Sequence, residues 1–316
     1  VPDRASTLTG RPALGDVAFR YATLGAGLLV LVILVLIAYS TGSEARPWLE
    51  HDGLGALTST DWSPAFEHFG AAAFIFGTAV TSAIALVLAV PVSLGIALYI
   101  TQVAPQRLAR PIIYVVDLLA VIPSVVFGLW GILVVAPQVV GTYDAIGSAL
   151  DGVPGIGSLF AGPRSGASFV TAGVILAIMI TPIVTSLARE VIDTTPVSEK
   201  EAAYGLGATR WEMITGAIWP HGKAGIVGAV MLGMGRAMGE TIAAALVIGS
   251  SAQVTARLFG PGDSMPAVIA NQFGEAAGTQ RAALIGLGVV LFLITIIVNL
   301  AARVVVQRSL RRSRGA

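Results

Sequence analysis

The chain contains no cysteine in 316 residues, which excludes a disulfide framework and any thiolate-held metal. Charge is also scarce: Asp, Glu, Lys and Arg make up 12% of the sequence, against about a quarter in soluble domains. The three histidines, His51, His68 and His221, stand apart outside the apolar runs and form no metal-ligand spacing. GAIWPHGKA at 216–224 comes nearest to a phosphate-cradling loop, but it lacks the correctly spaced first glycine and the hydroxyl residue after the lysine. Any ATP hydrolysis therefore belongs to a separate polypeptide. Alternating strands of about ten residues, the mark of a membrane barrel, are missing too.

What the chain has instead is 55% hydrophobic residues. Crossing hydrocarbon as a helix takes about 20 of them in succession. Six runs qualify, at roughly 22–40, 71–100, 112–137, 168–188, 224–251 and 282–302. They read as helices, because a lipid-embedded backbone must satisfy its own hydrogen bonds. The sequence thus predicts an all-α, polytopic membrane protein. The first run follows about twenty polar and mixed residues, has no small-residue cleavage pattern after it, and reads as a retained anchor helix. Pro91, Pro123 and Pro182 fall within the runs, where each kinks a helix or breaks it.

Basic residues mark the cytoplasmic loops. With the N-terminus inside, Arg46, Arg164, Arg257 and Arg281 fall outside, Arg236 lies within a span, and the other fourteen of the nineteen Lys and Arg fall inside. Both termini are therefore expected in the cytoplasm. The basic tail RRSRGA at 311–316 suits an anionic lipid surface rather than nucleic acid. Three outer loops of about thirty residues, 41–70, 138–167 and 252–281, read as docking surfaces.

The longest inner connection, 189–223, carries two helix-start patterns. Ser198 with Glu201, and Thr209 with Glu212, have capping-box spacing. Gly205 and Gly207 suit a turn between two short helices. Arg210 and Trp211 open the second, Trp211, Ile214 and Ile218 give it an apolar side facing a partner groove, and Pro220 ends it. Glu201, Ala202, Ala203, Gly207 and Pro220 resemble the EAA loop of ABC importer permeases, with Ala217 and Trp219 departing from the pattern's Ile and Leu.

In MGRAMGETIA, at 234–243, Arg236 and Glu240 interrupt a run of small and apolar residues. Arg236 lies about 20 Å up a helix that starts near Lys223, deep in a hydrocarbon core about 30 Å thick. Two readings stand. The charges are an i,i+4 pair that neutralises itself, or Arg236 is an oxyanion contact, since a planar guanidinium matches the oxygens of a tetrahedral anion. On the second reading Glu240 selects phosphate, which keeps a proton near neutral pH, over sulfate, which does not. Thr241 lies beside it. Ser124, next to Pro123, is a further pathway candidate, because a backbone break there leaves amides for an anion.

LGMGRAMGETIAAALVIG at 232–249 and DLLAVIPSVVFGLWGIL at 117–133 resemble the matching segments of PstC-type permease subunits of phosphate-specific ABC importers. With the EAA loop, the resemblance covers residues 70–302. It implies a type I ABC importer permease fold in a bacterial inner membrane, a second permease subunit (PstA-like), an ATPase dimer (PstB-like) that carries ATP and Mg, and an extracytoplasmic phosphate-binding protein (PstS-like). The chain itself would need no cofactor. The organisation expected is a cytoplasmic segment at 1–21, an additional helix and outer loop at 22–70, a five-helix core at 71–302 that includes the coupling loop, and a basic tail at 303–316. A permease for sulfate, molybdate or phosphonate, or an ion-coupled secondary transporter with Glu240 as proton carrier, are the rival readings. A membrane enzyme would need a base beside a nucleophile, and no such cluster is present.

Overall fold

The computed structural model describes residues 14–150, 152–154, 157–162 and 164–314, and side chains between 15 and 304. Most of the N-terminal segment and the side chains of the basic tail lie outside the described residues. The fold is all-α apart from a two-residue ladder, β1 (Trp62–Ser63) with β2 (His68–Phe69). The helices are α1 (Leu14–Glu44), α2 (Arg46–Asp52), α3 (Ala72–Leu98), α4 (Gln106–Val121), α5 (Ser124–Trp130), α6 (Ala136–Leu150), α7 (Gly157–Phe160), α8 (Phe169–Asp193), α9 (Val197–Gly205), α10 (Arg210–Met213), α11 (Trp219–Gly239), α12 (Ile242–Val247), α13 (Met265–Gln272) and α14 (Gly278–Arg314). Single π turns join α5 to α6 and α10 to α11.

Five stretches are long and apolar enough to cross a membrane: Gly15–Asp52, Ala72–Val103, Ser124–Leu150, Phe169–Asp193 and Gly278–Val304. Two expected spans need correction. The 112–137 run is not one helix. Ile122 and Pro123 are extended, with ψ of 126° and 140°, because a residue before proline is pushed out of the helical region. The spanning helix starts at Ser124 and continues into what was expected to be an outer loop. The 224–251 run is likewise two pieces, α11 and α12, parted at Glu240. The outer stretches 41–70 and 138–167 hold more helix than loops would. Pro91 and Pro182, by contrast, are carried inside continuous helices.

The centre is α3 against α8. Small and hydroxyl residues face the partner along α3 (Thr78, Thr81, Ser82, Ala85, Ala89, Ser93), all buried, and small side chains let membrane helices approach closely. Three of the four hydroxyls are paired: Thr78 and Thr81 donate to the carbonyls of Phe74 and Gly77, and Ser93 donates to the Thr181 carbonyl across the interface at 3.1 Å, whereas the buried Ser82 Oγ has no partner among the described residues. Ser168 caps α8 by accepting from the Thr171 amide.

At one end of the bundle, buried Trp48, Phe74, Met265, Leu284 and Leu287 tie α2, α3, α13 and α14 together. Trp48 Nε1 donates to the Phe69 carbonyl at 2.9 Å. The opposite end, called here the connection end because it carries 194–209, is closed by Ala97, Ala188, Ile192, Met213, Ile214 and Ile218.

Asp263 is buried near the first of these ends, against α3, and burial raises its carboxyl to about 6, with only the Ser264 amide opposing the shift. A carboxyl whose folded pKa exceeds its unfolded one stabilises the fold below the unfolded value, and that contribution disappears as pH rises through the folded value. Stability should therefore fall between about pH 4 and pH 6, by on the order of 3 kcal/mol for a shift of about two units. Asp263→Asn should remove this component. The check is the thermal midpoint of both proteins in detergent from pH 4.5 to 7.5; parallel curves would remove Asp263 as the cause.

Candidate functional site

α11 ends at Gly239. Glu240 is extended, with φ −70° and ψ 124°, and α12 starts two residues later. Gly235 and Gly239 weaken the last turn, since glycine costs a helix about 1 kcal/mol relative to alanine. A helix start leaves amides without partners. Here the Glu240 carboxylate supplies one, its Oε1 accepting from the Ala243 amide at 3.3 Å. Glu240 is 9% exposed.

Arg236 behaves differently. Its side chain is exposed on a cleft, and among the described residues it makes neither hydrogen bond nor ion pair. The self-neutralising i,i+4 pair is therefore not what the structure contains. The helix stops between the two charges, and the carboxylate is engaged by its own backbone. At the centre of a bilayer an arginine costs at least about 2.5 kcal/mol, which would make an aqueous or anionic counterpart favourable.

The cleft has a volume of about 970 Å³. One wall is a stripe along α11 from Ala224 to Glu240; Ile183 of α8 and Asn299 and Arg303 of α14 complete it. An apolar concavity with a few polar groups is the usual form of a small-ligand site. Asn299 and Arg303 were missed in the sequence, where Arg303 was counted only as one of the basic residues of the inner side. Their i,i+4 spacing near the end of a span was the available signal.

Ser124 and Thr241 do not line this cleft. Thr241 Oγ1 donates to the Gly239 carbonyl at 3.2 Å. Ser124 opens α5, which runs beside α12 in close contact. A β-carbon on Gly128 would lie 2.9 Å from the Ala243 Cα, and one on Gly131 would lie 2.7 Å from Val247 Cγ1. Both contacts advance together along the two helices, so they run in the same direction. Carried back one turn, this register puts Ser124 level with Glu240.

The element at the connection end differs from expectation in three ways. The Ser198–Glu201 capping box does not form: the cap position is Pro196, so α9 starts at Val197, two residues earlier than the box would set it, without a side-chain cap. Pro220 does not end a helix. It sits in the first turn of α11, where the preceding π turn absorbs its missing donor. Ile214 and Ile218 are buried in the chain's own core, whereas Trp211 is 68% exposed, with Leu206 at 90%, Val197 at 66% and Tyr204 at 47%. The Thr209–Glu212 box is present, and its two hydrogen bonds from Thr209 to the carboxylate, at 2.7 and 2.8 Å, hold the Glu212 carboxyl below its ordinary range. Gly207 turns with φ +85°, a left-handed conformation that favours glycine. Glu201, Ala202 and Arg210 are exposed there, and Ala203 packs against the core.

Among the described residues no three His, Asp or Glu side chains gather to hold a metal ion.

Residues 89–311 match the model of the binding-protein-dependent transport system inner membrane component. The chain belongs to this family. Among its relatives are the phosphate transport system permease protein PstC of Mesorhizobium japonicum, 44% identical over 94% of this chain and 92% of that one, and its namesake in Haemophilus influenzae, 41% identical over 92% of each. The phosphate transport system permease protein PstC 2 of Mycobacterium tuberculosis is 40% identical over 93% of each. The fold matches a chain of a bacterial ABC transporter involved in import of the acidic polysaccharide alginate, with TM-score 0.59, 19% identity, and coverage of 93% of this chain and 98% of that one. It also matches a chain of the MetNI methionine ABC transporter in an inward-facing conformation, with TM-score 0.55, 15% identity, and coverage of 75% and 95%. The type I ABC importer permease fold and a transport rather than enzymatic role follow from the family.

If Glu240 holds the start of α12, Glu240→Ala should lose about 0.5–2 kcal/mol, the usual range for a lost cap, and Glu240→Gln, which keeps an acceptor, clearly less. Thermal unfolding in detergent decides this. Equal midpoints for both variants and the parent would mean that the cap contributes nothing.

Proposed function

We propose that the chain is one half of the translocation pathway of an ATP-driven phosphate importer, with Arg236 as the oxyanion contact. The observation that carries this reading is the unpaired guanidinium on an apolar-walled cleft. The names of the 40–44% identical relatives supply the substrate class. Guanidinium donors match a tetrahedral anion in geometry and charge. Glu240 holds α12 through one carboxylate oxygen, and among the described residues the other oxygen has no partner. It is available to accept a proton that phosphate carries and sulfate lacks.

The charge distribution supports an orientation with both termini and the connection end in the cytoplasm of a bacterial cell. There the exposed Leu206, Trp211, Tyr204 and Val197 form the face that meets an ATPase dimer of the PstB type, which carries ATP and Mg. A PstA-like second permease would cover the open cleft, and a PstS-like binding protein would deliver phosphate at the other end. α1, exposed along its length, is an addition to the five-helix core at 71–302.

The test is uptake by the complex reconstituted into liposomes. Arg236→Lys keeps the charge but loses the planar fork, and uptake should fall at least tenfold, about 1.4 kcal/mol of transition-state stabilisation. Transport near the parent level would make Arg236 a structural residue. Glu240→Gln should narrow the preference for phosphate over sulfate in competition uptake. An unchanged preference would favour the alternative, in which selectivity comes from elsewhere and the oxyanion is not fixed by this residue.

A further inference from the structure

The cleft holds a second cation that the sequence reading did not use. Arg303 lines it together with Asn299, one helical turn deeper on α14. α11 rises from the connection end to Arg236, and α14 descends to that end from the cluster around Leu284 and Leu287. Arg303 therefore lies at the Ala224 end of the cleft. Arg236 lies twelve residues beyond Ala224, about 18 Å of helix. Val227, Met231 and Leu232 line the interval, and among the described residues Glu240 is the one carboxylate on the cleft.

This arrangement repeats one chemistry at both ends. At the deep end a guanidinium stands beside a carboxylate. At the connection end a guanidinium stands beside a carboxamide whose Nδ2 donates to the Thr295 carbonyl at 2.9 Å, which directs its carbonyl oxygen away from that bond. Each end offers planar donors for an oxyanion and one acceptor for its proton. Among the described residues Arg303, like Arg236, forms no ion pair. With Arg236 offset by Glu240, a cleft with this one cation would be close to neutral; Arg303 makes it net positive and gives a departing anion somewhere to go.

We propose that Arg303, assisted by Asn299, is a second oxyanion contact of the cleft, taking inorganic phosphate at the connection end after it leaves Arg236. This rests on the reading of the cleft as the phosphate path. A phosphate group on a lipid would satisfy the same donors, so the experiment separates the two sources.

The chain has no cysteine, so Ala224→Cys, at the end of the cleft where Arg303 lies, gives this chain one addressable thiol while leaving Arg303 in place. In the assembled complex in maltoside micelles, which carry no phosphate, an anionic methanethiosulfonate should modify this position, inorganic phosphate should slow the reaction at least threefold relative to chloride at equal ionic strength, and adding Arg303→Gln should abolish that protection. Protection by added phosphatidylglycerol alone, or by neither, would overturn the proposal. In liposomes, Arg303→Gln should cut phosphate uptake about tenfold, with Arg303→Lys recovering part of it. Arg236→Lys, run alongside, separates the failures. If that variant is dead while Arg303→Gln transports normally, only the second contact is wrong. If both transport normally, the cleft is not the path.

Discussion

A backbone that leaves the helix inside hydrocarbon must find new partners for its freed amides and carbonyls. This chain interrupts two long apolar runs, at Ile122–Pro123 and at Glu240–Thr241, and meets that demand at each. The two breaks depend on each other. α5 and α12 restart at matched levels, with Gly128 set against the Ala243 backbone and Gly131 against the Val247 side chain. At the first break proline removes one donor outright. At the second a carboxylate takes up the Ala243 amide. Glu240 is buried because it completes the backbone, and the charge it brings is what makes a cation nearby tolerable.

The charged groups of the cleft follow from this. Arg236 lies one turn before the stop, on the last regular turn of α11, where it lines the cleft alongside its apolar wall. Had the helix continued, the carboxylate would have come round to the arginine, and each would have cancelled the other. By ending the helix at Gly239 the sequence separates two charges that spacing alone would have paired. An unpaired guanidinium in a low-dielectric wall is unfavourable in isolation, and on the proposed function that cost is what an arriving anion would relieve.

The parts legible in the sequence were those set by local composition. Length and apolarity marked four of the six expected spans as unbroken helices, Thr209 and Glu212 a cap, and Gly207 the turn between α9 and α10. The rest depended on tertiary context. Pro91, Pro123 and Pro182 look alike in sequence, yet two sit within helices braced by the α3–α8 contact, and the third, on the less buried α4–α5 segment, breaks its helix. The helix through 210–239 was misjudged because a π turn before Pro220 cannot be read from residue types. Ile214 and Ile218 looked available to a partner, and are taken by the chain's own core. Asn299 and Arg303 were invisible as site residues, because only the antiparallel packing of α14 beside α11 brings them to the cleft that holds Arg236.

The continuity at Pro220 has a mechanical consequence for the proposed cycle. From Arg210 to Gly239 the chain is helical throughout, with one π turn. Arg236 thus stands about 39 Å from Arg210 along a single rod, at 1.5 Å per residue. In the proposed cycle, a rotation imposed on the exposed Trp211 end would be passed along this continuous helix toward Arg236. Just beyond Arg236 the rod stops, so α12, held against α5, need not follow. The guanidinium can then swing relative to Glu240, which is anchored to α12 through the Ala243 amide. A motion that changes the separation of these two groups changes the anion affinity of the deep end. That couples an event at the connection end to binding and release in the cleft through the same break that keeps the two charges apart.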